Sequence, residues 1–135
     1  MDDKKEKALQ TRFKFLVPPK DDQTPYYVRG MECCDGWFDL LWDLFEQIEK
    51  ELDSKSEFRV SQVKEKYGGL RVYVWGGSDK VQDLISAAEK KSETICEDCG
   101  KPGKLNQVCG WWATECKKCL AKRKRRMKKM RGRVT

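Results

Sequence analysis

Apolar residues recur every three or four positions over residues 37–52, in the segment WFDLLWDLFEQIEKEL. Side chains at this spacing share one face of an α-helix. The face contains Trp37, Leu41, Leu44, Ile48 and Leu52, and Phe38 and Phe45 widen it. Asp35 stands just before this stretch, where a short polar side chain can cap free backbone amides. The pattern predicts an amphipathic helix that begins near Gly36 and packs against a core.

The following segment, EFRVSQVKEKYGGLRVYVWGG, has the pattern of paired strands. It is rich in β-branched and aromatic residues, and Gly68 and Gly69 separate two extended runs. Alternate residues of a strand face opposite sides of a sheet. On the second run one face carries Leu70, Val72 and Val74, and the other carries Arg71, Tyr73 and Trp75. The segment therefore predicts a β-hairpin.

A second helix is predicted after the hairpin, because Ser78 can cap it and apolar residues follow at helical spacing. These residues are Val81, Leu84, Ile85 and Ala88. The fold class is therefore α+β, with two helices packed on a small antiparallel hairpin over residues 26–94. Residues 1–25 mix charges with VPPK and QTP and predict a flexible leader, which ends in an extended segment at Tyr26, Tyr27 and Val28.

The length of 135 residues limits the chain to one core and one small additional module. No run of about 18 apolar residues occurs, so no membrane-spanning helix is expected. The N-terminal MDDKKEKALQ lacks the apolar stretch of a secretory signal. We therefore expect a cytoplasmic, reducing compartment, in which disulfides are rare.

Four of the seven cysteines form two C-x-x-C pairs, Cys96 with Cys99 and Cys116 with Cys119, separated by sixteen residues. Two such pairs supply the tetrahedral thiolate shell that Zn²⁺ prefers. Between them, LNQVC and WWATE can form a short hairpin around Gly110, and the second pair opens the segment CLAKRKRR, which can be a helix. This order of cysteine turn, hairpin and ligand-bearing helix resembles the treble-clef zinc finger. The pattern predicts a Cys₄ zinc module over residues 95–121.

Two alternatives to zinc are a dithiol redox site and ordinary buried thiols. A redox C-x-x-C usually stands alone at the start of a helix, so the matched second pair favours the metal. A closed Cys₄ shell leaves no coordination position for water, and the zinc would therefore be structural. Cys109 is either a small hydrophobic residue of the hairpin or a substitute ligand. We expect Cys33 and Cys34 to be buried beside the first helix, and at least one of Trp111 and Trp112 to anchor the finger to the main domain.

The net charge of +7 is concentrated at the C-terminus. Eleven Lys and Arg lie between Lys117 and Arg133 with no acid among them, and removing these eleven from the 29 leaves 18 bases against 22 acids. A cationic arm over residues 122–135 suits a polyanion such as DNA or RNA. The residues expected to contact phosphate are Lys122, Arg123, Arg125, Arg126, Lys128 and Lys129. Like charges at i,i+4 predict fraying beyond about Arg126 in the free protein. A solubilising tail or a dock for an acidic protein is the alternative.

A second candidate surface is the polar face of the predicted hairpin. Arg71 and Tyr73 can contact bases there, because aromatic rings stack on bases while cations hold phosphates. Trp75 lies on the same face, and Lys64 or Lys66 lies across the hairpin. The alternative is that the two rings pack under a helix, on a sheet that is covered on both sides.

The chain contains no histidine. Ser-His and Cys-His nucleophilic pairs, Cys₂His₂ fingers and histidine-zinc nucleases are therefore excluded. Asp35, Asp39 and Asp43 lie four residues apart along the first helix, a row that is either an acid-base site or a solvated face. Because the sequence shows no set of residues typical of a catalytic site, we expect a binding protein that is not an enzyme.

Three segments, GMECCDGWFDLLWDL, QVKEKYGGLRVYV and the run from CEDCGKPG to GWWATECKKC, resemble small proteins of unassigned function encoded by bacteriophage and bacterial genomes. The resemblance covers approximately residues 28–119 and leaves the basic extension outside. It implies a module that binds and inhibits a host or defence protein, or that sequesters a nucleotide. In that case the acidic side of the first helix or exposed tryptophans would carry the contact.

Overall fold

The computed structural model describes residues 1–17 and 31–134, with side chains up to residue 130. The main domain comprises α1 (Asp3–Arg12), a 3₁₀ turn (Lys14–Leu16), β1 (Met31–Glu32), a 3₁₀ turn (Asp35–Trp37), α2 (Phe38–Glu51), β2 (Arg59–Lys66), β3 (Gly69–Trp75) and α3 (Asp79–Ser92). The finger comprises β4 (Lys104–Val108), β5 (Trp111–Glu115) and α4 (Lys117–Val134). The predicted α+β class is confirmed. The extended segment predicted at Tyr26, Tyr27 and Val28 lies outside the described residues.

Helix α2 supplies the centre of the core, as its periodicity predicts. Leu41, Leu44, Phe45 and Ile48 are buried along one side of it. The prediction that Asp35 caps this helix is wrong. Its carboxylate accepts the backbone N–H of Asp2 at 2.7 Å, which is the main reason that the pKa of Asp35 is lowered. Asp35 thus connects the N-terminal residues to the 3₁₀ turn that precedes α2.

The predicted hairpin is formed by β2 and β3, which pair antiparallel. Tyr67 and Gly68 occupy its two-residue turn with positive φ angles of 53° and 85°, the geometry of a type I′ turn. Strand β1 adds a short parallel pairing with β2, which gives the order β1-β2-β3 in the described part of the chain. Leu70 and Val72 face the core, as their alternation predicts.

Helix α3 packs against α2 and closes the free edge of β3. It begins at the predicted cap, because Ser78 accepts the N–H of Val81 at 3.3 Å. Near its other end Ser92 accepts the N–H of Leu70 at 2.9 Å, and Glu89 accepts the N–H of Val72 at 3.0 Å. These side chains occupy strand donors that would otherwise be open to pairing with another chain.

The flexible leader predicted for residues 1–25 is wrong for the residues that the structure describes there. Leu9, Phe13 and Leu16 are completely buried, and the Phe13 ring lies 5.3 Å from that of Trp42 and 5.6 Å from that of Phe45. Their spacing of four and three is helical, but the surrounding charges give the segment a polar average. The free energy gained by burying these three apolar side chains holds the segment on the core despite its polar average.

The finger docks on the main domain through backbone contacts. The N–H of Gly36 donates to the Glu97 carbonyl at 2.6 Å, and the buried Thr114 hydroxyl donates to the Gly68 carbonyl at 2.7 Å. The expectation that Trp111 or Trp112 anchors the finger is wrong, because they are 71% and 40% exposed. Trp37 of the main domain is instead completely buried and donates its indole N–H to the Ile95 carbonyl at 2.9 Å. The small residues at the contact, such as Gly36 and Gly68, allow a close approach of the two segments.

Gly36→Ala is expected to weaken this docking. A Cβ at Gly36 would lie 2.1 Å from the Cys96 carbonyl oxygen and 2.4 Å from that of Glu97, and neither backbone group can swing aside. We expect a loss of about 1–3 kcal/mol and a lower thermal midpoint. Gly69→Ala is the matched control, since the nearest atom to its Cβ, at 3.1 Å, belongs to the flexible Arg71 side chain. Equal midpoints for the two variants would contradict the docking contact.

Candidate metal centre and basic helix

The two C-x-x-C pairs meet in space as their spacing predicts. The four sulfur atoms of Cys96, Cys99, Cys116 and Cys119 all lie within 4.8 Å of one another, and those of Cys99 and Cys116 are 3.7 Å apart. Tetrahedral Zn–S bonds of about 2.3 Å place pairs of sulfurs about 3.8 Å apart. The cluster therefore has the size of a tetrahedral metal-thiolate shell.

The first pair is held in a tight turn. The N–H of Gly100 donates to the Cys96 carbonyl at 2.9 Å, and the N–H of Cys96 donates to the Lys101 carbonyl at 2.7 Å. Gly100 has a φ of 82°, a conformation that glycine adopts without strain. This turn also faces the main domain, because the Gly100 backbone lies against that of Gly36. The metal-binding turn and the docking surface are therefore one structure.

The second pair lies at the start of α4. The N–H of Cys119 points at the sulfur of Cys116 over 3.4 Å, and the N–H of Leu120 closes the first helical turn on the Cys116 carbonyl at 2.9 Å. The hydrogen bond from Cys119 is the largest of the effects that lower the pKa of Cys116 to about 7. Burial raises the pKa of Cys119. A thiolate at Cys116 near neutral pH assists metal binding, because thiol ligands must lose their protons.

The other three cysteines do not join this cluster. Cys109 occupies the β4–β5 turn with a φ of 53° and is exposed, so it belongs to the hairpin and is not a substitute ligand of the cluster. Cys33 is buried as predicted, but Cys34 is exposed, because neighbouring residues of extended chain face opposite sides. Burial raises the pKa of Cys33 to about 12, and partial desolvation by the surrounding residues, together with the Glu97 carboxylate, raises the pKa of Cys34 to about 12 although its side chain is exposed. Both raised pKa values favour the thiol over the thiolate at neutral pH.

Arg123 has a different role from the one predicted for it. Its guanidinium donates to both carboxylate oxygens of Glu115, the shortest contact being 2.6 Å, and to the Trp111 carbonyl at 3.2 Å. The side chains of Arg123 and Glu115 are only 14% and 6% exposed. This bidentate pair fixes α4 against β5 and withdraws Arg123 from the phosphate-contacting set.

Other predicted cations remain on the surface of α4. Lys122, Arg125, Arg126 and Lys129 are exposed and, with Asp98, line an open concavity of about 370 Å³. Their spacing places them on one side of the helix, and we call these four residues the basic face. Lys128 is exposed elsewhere on α4. The helix continues to Val134, and Arg123 anchors its first turns, while the predicted fraying beyond Arg126 in the free protein stays a prediction.

The hairpin face proposed as a second surface is open to solvent. Tyr73 is 41% and Trp75 is 45% exposed, so the alternative that both rings pack under a helix is wrong. The Lys64 ammonium lies 5.6 Å from the centroid of the Tyr73 ring. Arg71 is half-buried, and its guanidinium donates to the Leu70 carbonyl at 2.8 Å. Both predicted residues, Arg71 and Tyr73, therefore lie on the face opposite to the core.

Within the described residues, no helix is long and apolar enough to cross a membrane. Comparison of the chain with models of protein families, with characterised proteins and with solved structures gave no significant match. Function must therefore be argued from the geometry and chemistry of the chain itself.

Proposed function

We propose that this chain is a non-enzymatic, zinc-containing binding protein that contacts the phosphate backbone of a nucleic acid through α4. Four cysteine sulfurs within 4.8 Å of one another can form the tetrahedral thiolate shell that suits Zn²⁺ among the common metals. All four ligand positions come from the protein, so the metal would stabilise the finger and would not activate water.

The exposure of four cations on one side of a helix that is paired to the finger is the observation that carries the nucleic-acid proposal. Lys122 and Lys129 are separated by about 10 Å along the helix axis, at about 1.5 Å per residue. The Glu115–Arg123 pair holds this helix on the finger, so the cations project from a fixed support. Phosphates that bind Lys122, Arg125 and Arg126 meet a helix that the finger already holds, which lowers the cost of ordering the chain on binding.

Charge repulsion on α4 also favours a polyanionic partner. The basic face places like charges three and four residues apart, which raises the free energy of the isolated helix. A nucleic acid would neutralise these charges and release its own counterions on binding. Outside residues 117–133 the chain carries 18 bases against 22 acids, so the positive charge is concentrated at this end of the chain.

Replacing all four basic-face cations by Gln is expected to weaken DNA and RNA binding and flatten its salt dependence. The slope of log affinity against log salt should fall by about three to four for duplex DNA, at about 0.9 per phosphate contact. The variant Lys4→Gln, Lys7→Gln, Lys14→Gln, Lys55→Gln removes the same charge from exposed positions of the main domain. Fluorescence anisotropy titrations at several salt concentrations measure the affinity and its salt slope for both variants. Equal slopes for the two variants would show that overall charge, and not the basic face, binds the nucleic acid.

A protein partner is the second candidate, favoured by the exposure of Trp111. An indole that is 71% exposed is typical of an interface anchor. A stoichiometric protein that co-purifies with the wild type and is lost in Trp111→Ala would support this alternative, whereas nucleic acid removed by high salt would support the first.

A further inference from the structure

The outer face of the three-stranded sheet combines cations and rings in register. Across β2 and β3, Lys64 is paired with Arg71, Gln62 with Tyr73, and Arg59 with Trp75. On the third strand, Glu32 is the acid beside Lys64. The buried residues of helices α2 and α3 belong to the core cluster on the opposite face of this sheet. The first of these three rows therefore carries two cations, the second carries the Tyr73 ring, and the third carries the Trp75 ring together with a cation.

Two features of these rows are unfavourable in the free protein. Like charges directly opposite each other on neighbouring strands, as Lys64 and Arg71 are, destabilise a sheet. Tyr73 and Trp75 each leave more than two fifths of their surface in water. A ligand that is anionic and has flat apolar surfaces would relieve both, and nucleotides combine these properties.

The spacing of the rings favours a single strand over a duplex. Tyr73 and Trp75 are two residues apart on one face of β3, which separates them by about 6.8 Å. This separation is about twice the 3.4 Å spacing of stacked bases along a nucleic-acid strand. Each ring can therefore receive its own base only from an extended strand. In a duplex the base faces are already occupied by their neighbours.

We propose that this outer face binds single-stranded nucleic acid, with bases stacked on Tyr73 and Trp75 and adjacent phosphates held by Lys64 and Arg71. The proposal rests on the nucleic-acid function of α4 and names its substrate class. The Lys64 ammonium lies over the Tyr73 ring, 5.6 Å from its centroid, so a phosphate next to a base stacked on the other face of this ring would lie near a cation. The basic face supplies affinity for any polyanion, and the outer face supplies the preference for unpaired bases.

The double variant Tyr73→Ala, Trp75→Ala tests the proposal with three probes: a thymidine 12-mer, a duplex of equal length and inorganic polyphosphate, which has no bases. Affinity for the 12-mer should fall about tenfold or more, and that for polyphosphate should not change. Tyr73→Phe, Trp75→Phe keeps the ring surfaces and should bind the 12-mer nearly as the wild type does. Both rings are exposed, and matching thermal midpoints would establish that the variants remain folded.

An equal loss for all three probes, or no loss for the 12-mer, would overturn the stacking proposal. The basic-face variant decides the proposed function separately, since it should lose affinity for duplex and polyphosphate as well. If the wild type binds none of the three probes, both proposals are wrong.

Discussion

Removal of metal from the purified protein by a strong chelator is expected to unfold the finger and leave the main domain folded. The described side chains that are buried in the finger are Cys96 and Cys119, both proposed ligands, together with Thr114 and Glu115. Among the described side chains, the finger has no buried apolar cluster that would hold β4, β5 and the start of α4 together without the metal. Apparent zinc-binding free energies of about 10–16 kcal/mol in zinc-finger peptides show how much stability such a site can supply.

Metal analysis and amide hydrogen exchange test this expectation. The untreated protein should contain about one zinc per chain, and chelation should remove exchange protection from β4, β5 and α4 while α2 and β3 keep theirs. Cys96→Ser should give the same pattern without a chelator. Cys109→Ser is the matched control, because that thiol is exposed and outside the cluster. A protein that contains no metal, or that retains full thermal stability after complete chelation, would refute the structural zinc.

Arg123→Met is expected to produce the second largest effect, a loss of about 3–5 kcal/mol in the free energy of unfolding of the finger. The substitution would leave the Glu115 carboxylate buried, 6% exposed, and without its bidentate partner. Because desolvation of an unpaired charge causes this loss, replacing both partners should avoid most of it. Glu115→Leu, Arg123→Met should therefore be much more stable than the single variant.

The chain provides a matched control for this pair. Arg12 also contacts a carboxylate at 2.6 Å, that of Glu49, but these side chains are 40% and 44% exposed. Arg12→Met should cost about 1 kcal/mol or less, because water screens an exposed pair. Denaturant unfolding, monitored through the hydrogen-exchange protection of β5 and α4 amides, measures the difference in stability between the variants. If the two Arg→Met variants lose the same stability, or if the double variant is the least stable, burial of the Glu115–Arg123 pair is not what fixes α4.

The predicted elements were found wherever one local pattern dominated. The apolar periodicity of α2, the alternation in β3 and the cap at Ser78 depend on neighbours in the sequence, and the structure confirms each of them. The leader shows the limit of this reasoning. Leu9, Phe13 and Leu16 form a short apolar stripe within charged residues, and only the aromatic cluster of the core reveals what they pack against.

The sequence also could not distinguish residues of the same type within a charged or aromatic run. Arg123 is one base among many in KRKRR, and its role depends on Glu115, which the β4–β5 hairpin brings to it across the finger. Trp111 and Trp112 resemble anchors by type, yet the finger docks through Gly36 and Thr114, where small residues let backbones meet.

By itself, the sequence determined the α+β class, the four clustered cysteines and the cationic end of the chain, because spacing and composition are local properties. The tertiary structure decided which cations remain on the surface, which rings face water and how the finger is attached. Each of these outcomes depends on contacts between residues far apart in the chain, such as Gly36 with Glu97 and Thr114 with Gly68, and no local pattern specifies them.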